Sequence, residues 1–210
     1  MSYVNPLLGG RAVVVAAVGN AEGARGAAAA LACAGADADT AALLVDVGGR
    51  APRPTLLASA AAQKLEERLA AHLPQLRVAA RGQVCHLAVP VDGEGLEAAA
   101  AAVTVAREAT AVIHVQPELL QEVLAQSSLC PAGVLLRADL TQDRALVALA
   151  VRDLLARDLA VAVLKRRLGW VVERRALFGV LPAGSPGGLP ERLVRRLDLA
   201  STGTGFPVAA

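Results

Sequence analysis

The chain has 210 residues, enough for one α/β domain, and its 21 Lys and Arg against 19 Asp and Glu leave a net charge of only +2. A balance so close to neutral argues against a surface that attracts nucleic acid. One Trp, one Tyr and two Phe in the whole chain are too few for a base-stacking platform, so we expect no nucleic-acid partner.

Short runs of Val and Leu alternate with helical patterns along almost the whole chain, which predicts an α/β fold: a mainly parallel twisted sheet with helices on both faces. The predicted strands lie near 12–18, 41–46, 84–89, 111–115, 132–137 and 159–164, with a weaker one near 178–181. The predicted helices lie near 26–35, 55–72, 94–107, 117–126 and 142–157. No linker or repeat interrupts the pattern, so we expect one domain over residues 1–210 with a flexible tail at 198–210.

Two of the predicted helices have a recognisable apolar side. The helix at 55–72 opens with Thr55, and its apolar side comprises Leu56, Leu57, Leu65, Leu69 and Leu73. The helix at 142–157 follows two candidate N-cap residues, Asp139 and Thr141. Its predicted apolar stripe comprises Leu146, Leu149, Ala150, Leu154 and Leu155.

Ligands of open parallel sheets bind beyond the carboxyl ends of the strands. This rule brings six segments to one edge of the predicted sheet: 19–26, 46–53, 90–95, 116–117, 137–143 and 165–167. All of these segments except 116–117 contain charged residues, whereas the strands themselves are largely apolar. Any functional site is therefore expected at this edge.

The first of these segments is a glycine-rich loop between a strand and a helix, Gly19-Asn20-Ala21-Glu22-Gly23-Ala24-Arg25-Gly26. Such a loop aims backbone N–H groups at a phosphate. Gly23 and Gly26 keep two glycines of the deviant Walker A pattern K-G-G-x-G-K-T-T, but Ala27 and Ala28 stand where its second Lys and first Thr would be. A methyl group neither neutralises phosphate charge nor holds Mg²⁺. Arg25 could restore one positive charge.

Several short motifs resemble the ParA/MinD branch of P-loop proteins, the SIMIBI class, including related ATPase-like proteins that position flagella and Tad-type pili. Residues 28–34 keep the small-residue outline of that family's first helix, and residues 42–46 form a second strand that ends in Asp46. Late motifs of the family, G-V-I-P and G-x-P-V, are similar to residues 178–182 and 205–208. The family's D-x-P-P-G is missing, since residues 89–93 are at best a distorted version of it.

The resemblance implies a P-loop NTPase-like domain whose phosphate loop, with Gly19, Gly23, Arg25, Gly26 and the strand-end acid Asp46, has lost its catalytic groups. We therefore expect a non-catalytic pseudo-ATPase that acts as a protein-interaction scaffold in a positioning or a pilus or secretion complex. We assign no catalytic residue, no metal ligand and no required cofactor. The sequence leaves weak nucleotide binding and a homodimer open.

The alternative is an NAD(P)-binding Rossmann-type oxidoreductase. Asp46 lies twenty residues after Gly26, at a strand end where a ribose-binding carboxylate would be placed. However, the glycine spacing is one residue off G-x-G-x-x-G. The only tyrosine, Tyr3, has no Lys at short spacing after it, which argues against a Tyr/Lys dehydrogenase.

Histidines and cysteines give no metal-binding pattern. His72 ends a predicted surface helix, whereas His86 and His114 fall in apolar strands and are interpreted as hydrogen-bonded core residues. The cysteines, Cys33, Cys85 and Cys130, are far apart and odd in number, and their spacing does not fit zinc. Each has apolar neighbours, so all three are predicted to be buried. Free thiols fit a reducing compartment.

Two stretches near the end of the chain are basic. The stretch at 165–175 is interpreted as a solvated rim, with contact to an acidic partner or a phosphate as the alternative. The amphipathic segment at 190–197 is too short and lacks the aromatic anchors for membrane association, so we expect it to dock on its own domain. The apolar run at 12–18 is too short for a signal peptide or a membrane span, so we expect a cytoplasmic protein.

Overall fold

A computed structural model describes residues 12–19, 23–36, 39–49, 57–126, 129, 131, 133–138, 144–157, 159–165 and 177–180. Its strands are β1 (Ala12–Ala17), β2 (Ala42–Val47), β3 (Val78–Arg81), β4 (Val84–Val89), β5 (Thr110–Val115), β6 (Gly133–Ala138), β7 (Ala160–Lys165) and β8 (Leu177–Val180). Its helices are α1 (Ala24–Ala34), α2 (Ala60–His72), α3 (Gly93–Val105), α4 (Leu120–Ala125) and α5 (Arg144–Ala156). A 3₁₀ turn, Pro117–Leu119, leads into α4.

These strands form one sheet in the order β3-β4-β2-β5-β1-β6-β7-β8. Every described pair is parallel except β3–β4, which is antiparallel. The prediction of an α/β fold with a mainly parallel sheet is confirmed. Because β1 lies in the interior of the sheet, between β5 and β6, the segment that follows it is at the middle of the carboxyl edge.

The hairpin strand β3 was not predicted. It joins β4 through the two-residue loop Gly82-Gln83, in which Gly82 has a φ of +58°. Short loops with a positive φ suit the twist of a β-hairpin, which explains the glycine. The remaining predicted strands are present within one or two residues of their expected bounds.

Of the helices, α1 and α2 start two and five residues away from their predicted positions. The first turn of α1 begins at Ala24, two residues early, so Arg25 and Gly26 belong to the helix and not to a loop. By contrast, α2 begins only at Ala60, where the Ser59 side chain accepts a hydrogen bond from the Ala62 N–H at 3.2 Å. Thr55 lies outside the described residues, and Leu57, expected on the apolar side of this helix, is 83% exposed before it.

The two faces of the sheet are covered unequally. On one face, α2, α3, α4 and α5 bury a large apolar cluster with residues such as Leu43, Leu87, Ile113 and Leu136. On the other face, the described residues place α1 alone, and its alanines and Leu31 pack on Val15, Leu44 and Val112 among others. Small side chains let this helix lie close to the strands.

The apolar stripe predicted for α5 is wrong in part. Leu146 and Leu149 are each 52% exposed, while Val147, Val151 and Leu154 are buried against the sheet. The buried residues follow the i, i+4, i+7 spacing of one helix face. Apolar residues occupy most of this helix's circumference, so the sequence alone does not determine which face is buried. The candidate N-caps Asp139 and Thr141 lie outside the described residues.

Candidate functional site

Polar side chains meet beneath the amino end of α1, at the carboxyl half of the sheet. Residues two apart on a strand share a face, so Asp46, His86 and His114 lie on the α1 side, each two positions after a member of its apolar cluster. Asp46 is directly opposite His114 in the β2–β5 register, and His86 is on the other neighbouring strand, β4. The apolar core under α1 therefore ends in a polar group, which we call the Asp46 cluster: Arg25, Asp46, His86 and His114.

Asp46 is the centre of this cluster and is only 1% exposed. Its Oδ1 is 2.7 Å from His114 Nδ1. An ionised carboxylate can only accept hydrogen bonds, so the Nδ1 of His114 carries the proton and donates it. The contact therefore requires a proton on Nδ1 of His114.

Arg25 reaches Asp46 from the first turn of α1. Its Nε is 2.7 Å from Asp46 Oδ2, while the arginine side chain as a whole is 52% exposed. The helix therefore contributes a cation to a carboxylate on the sheet beneath it. The first turn of α1 contains no acidic residue, and Asp46 on the sheet is the carboxylate that Arg25 of this turn contacts.

His86 completes the cluster without a hydrogen bond. Its Nε2 is 3.8 Å from Asp46 Oδ2, which is too long for a hydrogen bond. This nitrogen is buried and has no hydrogen-bond partner among the described residues. Among the described residues, Asp46 Oδ2 likewise accepts no hydrogen bond of good geometry. Its contact with Arg25 is therefore mainly an ion pair.

The cluster keeps Asp46 ionised. Burial alone would raise the pKa of its carboxyl group, but the hydrogen bond from His114, the nearby His86 ring and the charge of Arg25 outweigh it. The pKa is therefore held well below its ordinary value of 3.8. Asp46 carries a full negative charge throughout the neutral range.

Two glycines after β2 let the chain close over this carboxylate. A Cβ on Gly49 would collide with the carboxyl group of Asp46. Gly48 has a φ of +73°, a conformation that favours glycine, and a Cβ there would approach Val91. The turn therefore covers Asp46 with backbone alone.

The predicted phosphate loop lies beside the Asp46 cluster. Gly19 and Gly23 both have left-handed backbone, with φ of +60° and +89°, and Gly23 is the N-cap of α1. Gly26 is inside the helix, and a Cβ there would meet nothing within 4 Å. Ala27 and Ala28 are 5% and 0% exposed and belong to the apolar cluster between α1 and the sheet. Residues 20–22 lie outside the described residues.

Of the predicted site residues, the structure brings Arg25 and Asp46 into contact and places Gly19 and Gly23 at the same edge of the sheet. Sequence reasoning missed that His86 and His114 belong to the same group. A usable signal was present, because Asp46 and His114 are each the last residue but one of an apolar strand.

Other candidates fall elsewhere. His72 is exposed at the end of α2, as predicted, where its Nδ1 is 2.8 Å from the carbonyl oxygen of Arg68. Cys85 is buried, but the prediction that Cys33 is buried is wrong, because this thiol lies on the exposed side of α1.

Asp92, in the expected remnant of D-x-P-P-G, is the N-cap of α3 and accepts a hydrogen bond from the Gly95 N–H at 2.7 Å. Cys130, the segments 166–175 and 190–197 and the tail at 198–210 lie outside the described residues.

Two cavities lie near the sheet edges. A groove of about 380 Å³ runs past the turn after β2, lined by Gly48, Gly49, Arg77 and Pro90 among others. Another cavity of about 250 Å³ is lined by Lys64 and Arg68 and lies near the amino ends of the strands. Only the first adjoins the Asp46 cluster.

The described part of the chain contains no three His, Cys, Asp or Glu side chains placed to hold a metal ion together. None of its helices has both the length and the apolar character needed to cross a bilayer. No protein-family model, no curated protein and no solved structure matches this chain.

Proposed function

We propose that the chain is a non-catalytic, ParA/MinD-like pseudo-ATPase that acts as a protein-interaction scaffold in a positioning or a pilus or secretion assembly complex. The observation that carries the proposal is the pairing of Arg25 with Asp46. Arg25 is the cation that the glycine loop itself offers in place of the missing lysine, and its Nε lies 2.7 Å from an internal carboxylate.

The positions of Ala27 and Ala28 support a loop that neither binds phosphate tightly nor catalyses its transfer. Ala27 and Ala28 fill the apolar layer beneath α1, so this turn of the helix contributes neither an ammonium group nor a metal-binding hydroxyl. The helix terminus alone stabilises an anion by about 0.3–1 kcal/mol. Even millimolar binding requires about 4 kcal/mol, so the remaining loop falls well short of nucleotide affinity.

The position of Asp46 argues against the Rossmann alternative. A ribose-binding carboxylate has to offer its oxygens to the sugar hydroxyls. The side chain of Asp46 is only 2% exposed, its Oδ1 is engaged by His114 and its Oδ2 by Arg25. A dinucleotide would have to displace both contacts.

Equilibrium binding of ATP, ADP and NAD(P)H to the full chain, with and without Mg²⁺, tests the proposal. We expect no submillimolar binding of any of them. Magnesium-dependent ATP binding in that range would refute the pseudo-ATPase, and NAD(P)H binding that disappears in Asp46→Ala would support the oxidoreductase. ATP turnover that is abolished by Arg25→Ala would show that this arginine replaces the missing lysine.

The scaffold role has its own test. The gene's neighbourhood and the proteins that co-purify with the tagged full chain should include components of a positioning, pilus or secretion system. Metabolic enzymes as the only reproducible partners and neighbours would contradict the proposal.

A further inference from the structure

The closest ionic contact between α1 and the sheet in the described residues is the pair of Arg25 and Asp46. We propose that Arg25 is a built-in ligand for Asp46, which closes the amino end of α1 on the sheet without any nucleotide or metal. This inference deepens the proposed function and rests on it, because a scaffold needs one fixed shape in the absence of ligand.

Because Asp46 is ionised and buried, it requires a cation at the position that Arg25 occupies. The carboxylate is buried and ionised, and a buried charge is costly unless it is paired. The groups that face it are the hydrogen-bond donor His114 from β5, His86 from β4 at a distance too long for a hydrogen bond, and Arg25 from α1. The turn after β2 contributes only Gly49, which has no side chain. Among these groups, Arg25 alone carries a permanent positive charge.

The other groups at this end of α1 are the Arg137 side chain of β6, which lies beside Gly23, and small apolar side chains. The buried side chains in the first two turns are the methyl groups of Ala24, Ala27, Ala28 and Ala30. The N-cap, Gly23, has no side chain to bond the free N–H groups. Loss of the ion pair would therefore loosen the first turns of α1 first, while its carboxyl end stays anchored by the hydrogen bond from Thr110 to the Gly35 carbonyl at 2.7 Å.

The proposal predicts chemical rescue. Arg25→Ala removes the guanidinium group but leaves its place beside Asp46, so the free guanidinium ion should bind there. Hydrogen exchange of the amides at 24–30 should be about three- to tenfold faster in Arg25→Ala than in the unchanged protein. Guanidinium chloride, far below the concentrations that unfold proteins, should slow this exchange again, whereas equal sodium chloride should not.

Matched variants separate the ion pair from a general loss of stability. Arg68→Ala removes a half-buried arginine from α2 that pairs with Glu108 at 3.5 Å and donates to the Val105 carbonyl at 2.7 Å, and it should leave exchange at 24–30 unchanged. Rescue should disappear in Arg25→Ala combined with Asp46→Asn, because the carboxylate that binds the ion is gone. Arg25→Lys, which keeps the charge without the planar fork, should lie between the unchanged protein and Arg25→Ala.

Unchanged exchange at 24–30 in Arg25→Ala would overturn the inference, and so would equal rescue in the double variant. These outcomes are independent of the proposed function, which ATP binding by the unchanged protein decides. If that protein binds ATP while Arg25→Ala shows rescue, the ion pair stands as a contact, but its role in place of a nucleotide falls with the pseudo-ATPase.

Discussion

His114 donates its Nδ1–H to Asp46 across the β2–β5 pair, from the position directly opposite in the register. The hydrogen bond joins two neighbouring strands through their side chains at the point where the apolar core under α1 ends. The hydrogen bond also satisfies Oδ1 of the buried Asp46 carboxylate, so its loss should lower the stability of the fold.

His114→Ala should lower the free energy of unfolding by about 1.5–3 kcal/mol, the range for hydrogen bonds to charged groups. The reason is that the Oδ1 atom of Asp46 would lose its donor while remaining buried. Urea unfolding at neutral pH measures the change. His72→Ala is the matched control, since that ring is exposed at the end of α2, and it should cost much less. Equal losses in both variants would contradict the role assigned to His114.

Asp46 should make the stability of the protein depend on acid pH. Its folded pKa is lowered, so the carboxylate contributes stability above its ordinary pKa of 3.8, and that contribution is lost as the pH falls through the folded pKa. Asp46→Asn removes this contribution. Urea unfolding should show a large stability difference between the two proteins at pH 7 and a smaller one well below pH 4. A difference that stays constant with pH would refute the shift.

Gly35 and Gly26 should respond in opposite ways to the same substitution. A Cβ on Gly35, the C-cap of α1, would collide with the side chain of Thr110, so Gly35→Ala should cost about 1–3 kcal/mol. A Cβ on Gly26 meets nothing within 4 Å inside the helix, so Gly26→Ala should stabilise by about 0.5–1 kcal/mol. Thermal or urea unfolding of the two variants compares them directly. Destabilisation by Gly26→Ala would indicate that the backbone there has a role that the fold does not explain.

Cys33 and Cys85 should differ in reactivity. Burial raises the pKa of the Cys85 thiol to about 12, and its Sγ donates to the Ala62 carbonyl at 2.9 Å, so this side chain should resist thiol reagents in the native state. Cys33 is exposed and should react readily. Peptide mapping by mass spectrometry after brief maleimide treatment distinguishes the two sites. Rapid labelling of native Cys85 would show that α2 opens away from the sheet.

The strand and helix pattern was readable from the sequence because parallel strands buried on both faces are continuous apolar runs. The hairpin strand β3 was missed, since Val78-Ala79-Ala80-Arg81 has a single β-branched residue. The turn that follows this strand indicates the hairpin more clearly than the strand residues do, because Gly82 has a positive φ there.

The Asp46 cluster shows what a linear pattern leaves out. Arg25, Asp46 and His114 are far apart along the chain, and their contact depends on which strands are neighbours and in what register. The sequence placed Asp46 and Arg25 at the same sheet edge, but it could not show that one would neutralise the other. It also treated His86 and His114 separately, because their shared partner becomes visible only once β2 lies between β4 and β5 in the sheet order.

The thin alanine layer between α1 and the sheet makes that face intolerant of growth. Ala28 and Ala32 are fully buried, so a larger residue at either position would lift the helix from the strands. The same displacement would pull Arg25 away from a carboxylate 2.7 Å below it. Side-chain volume at the centre of α1 is thus mechanically linked to charge neutralisation at its amino end, and a mutation that adds only carbon atoms could act as if it had removed an ion pair.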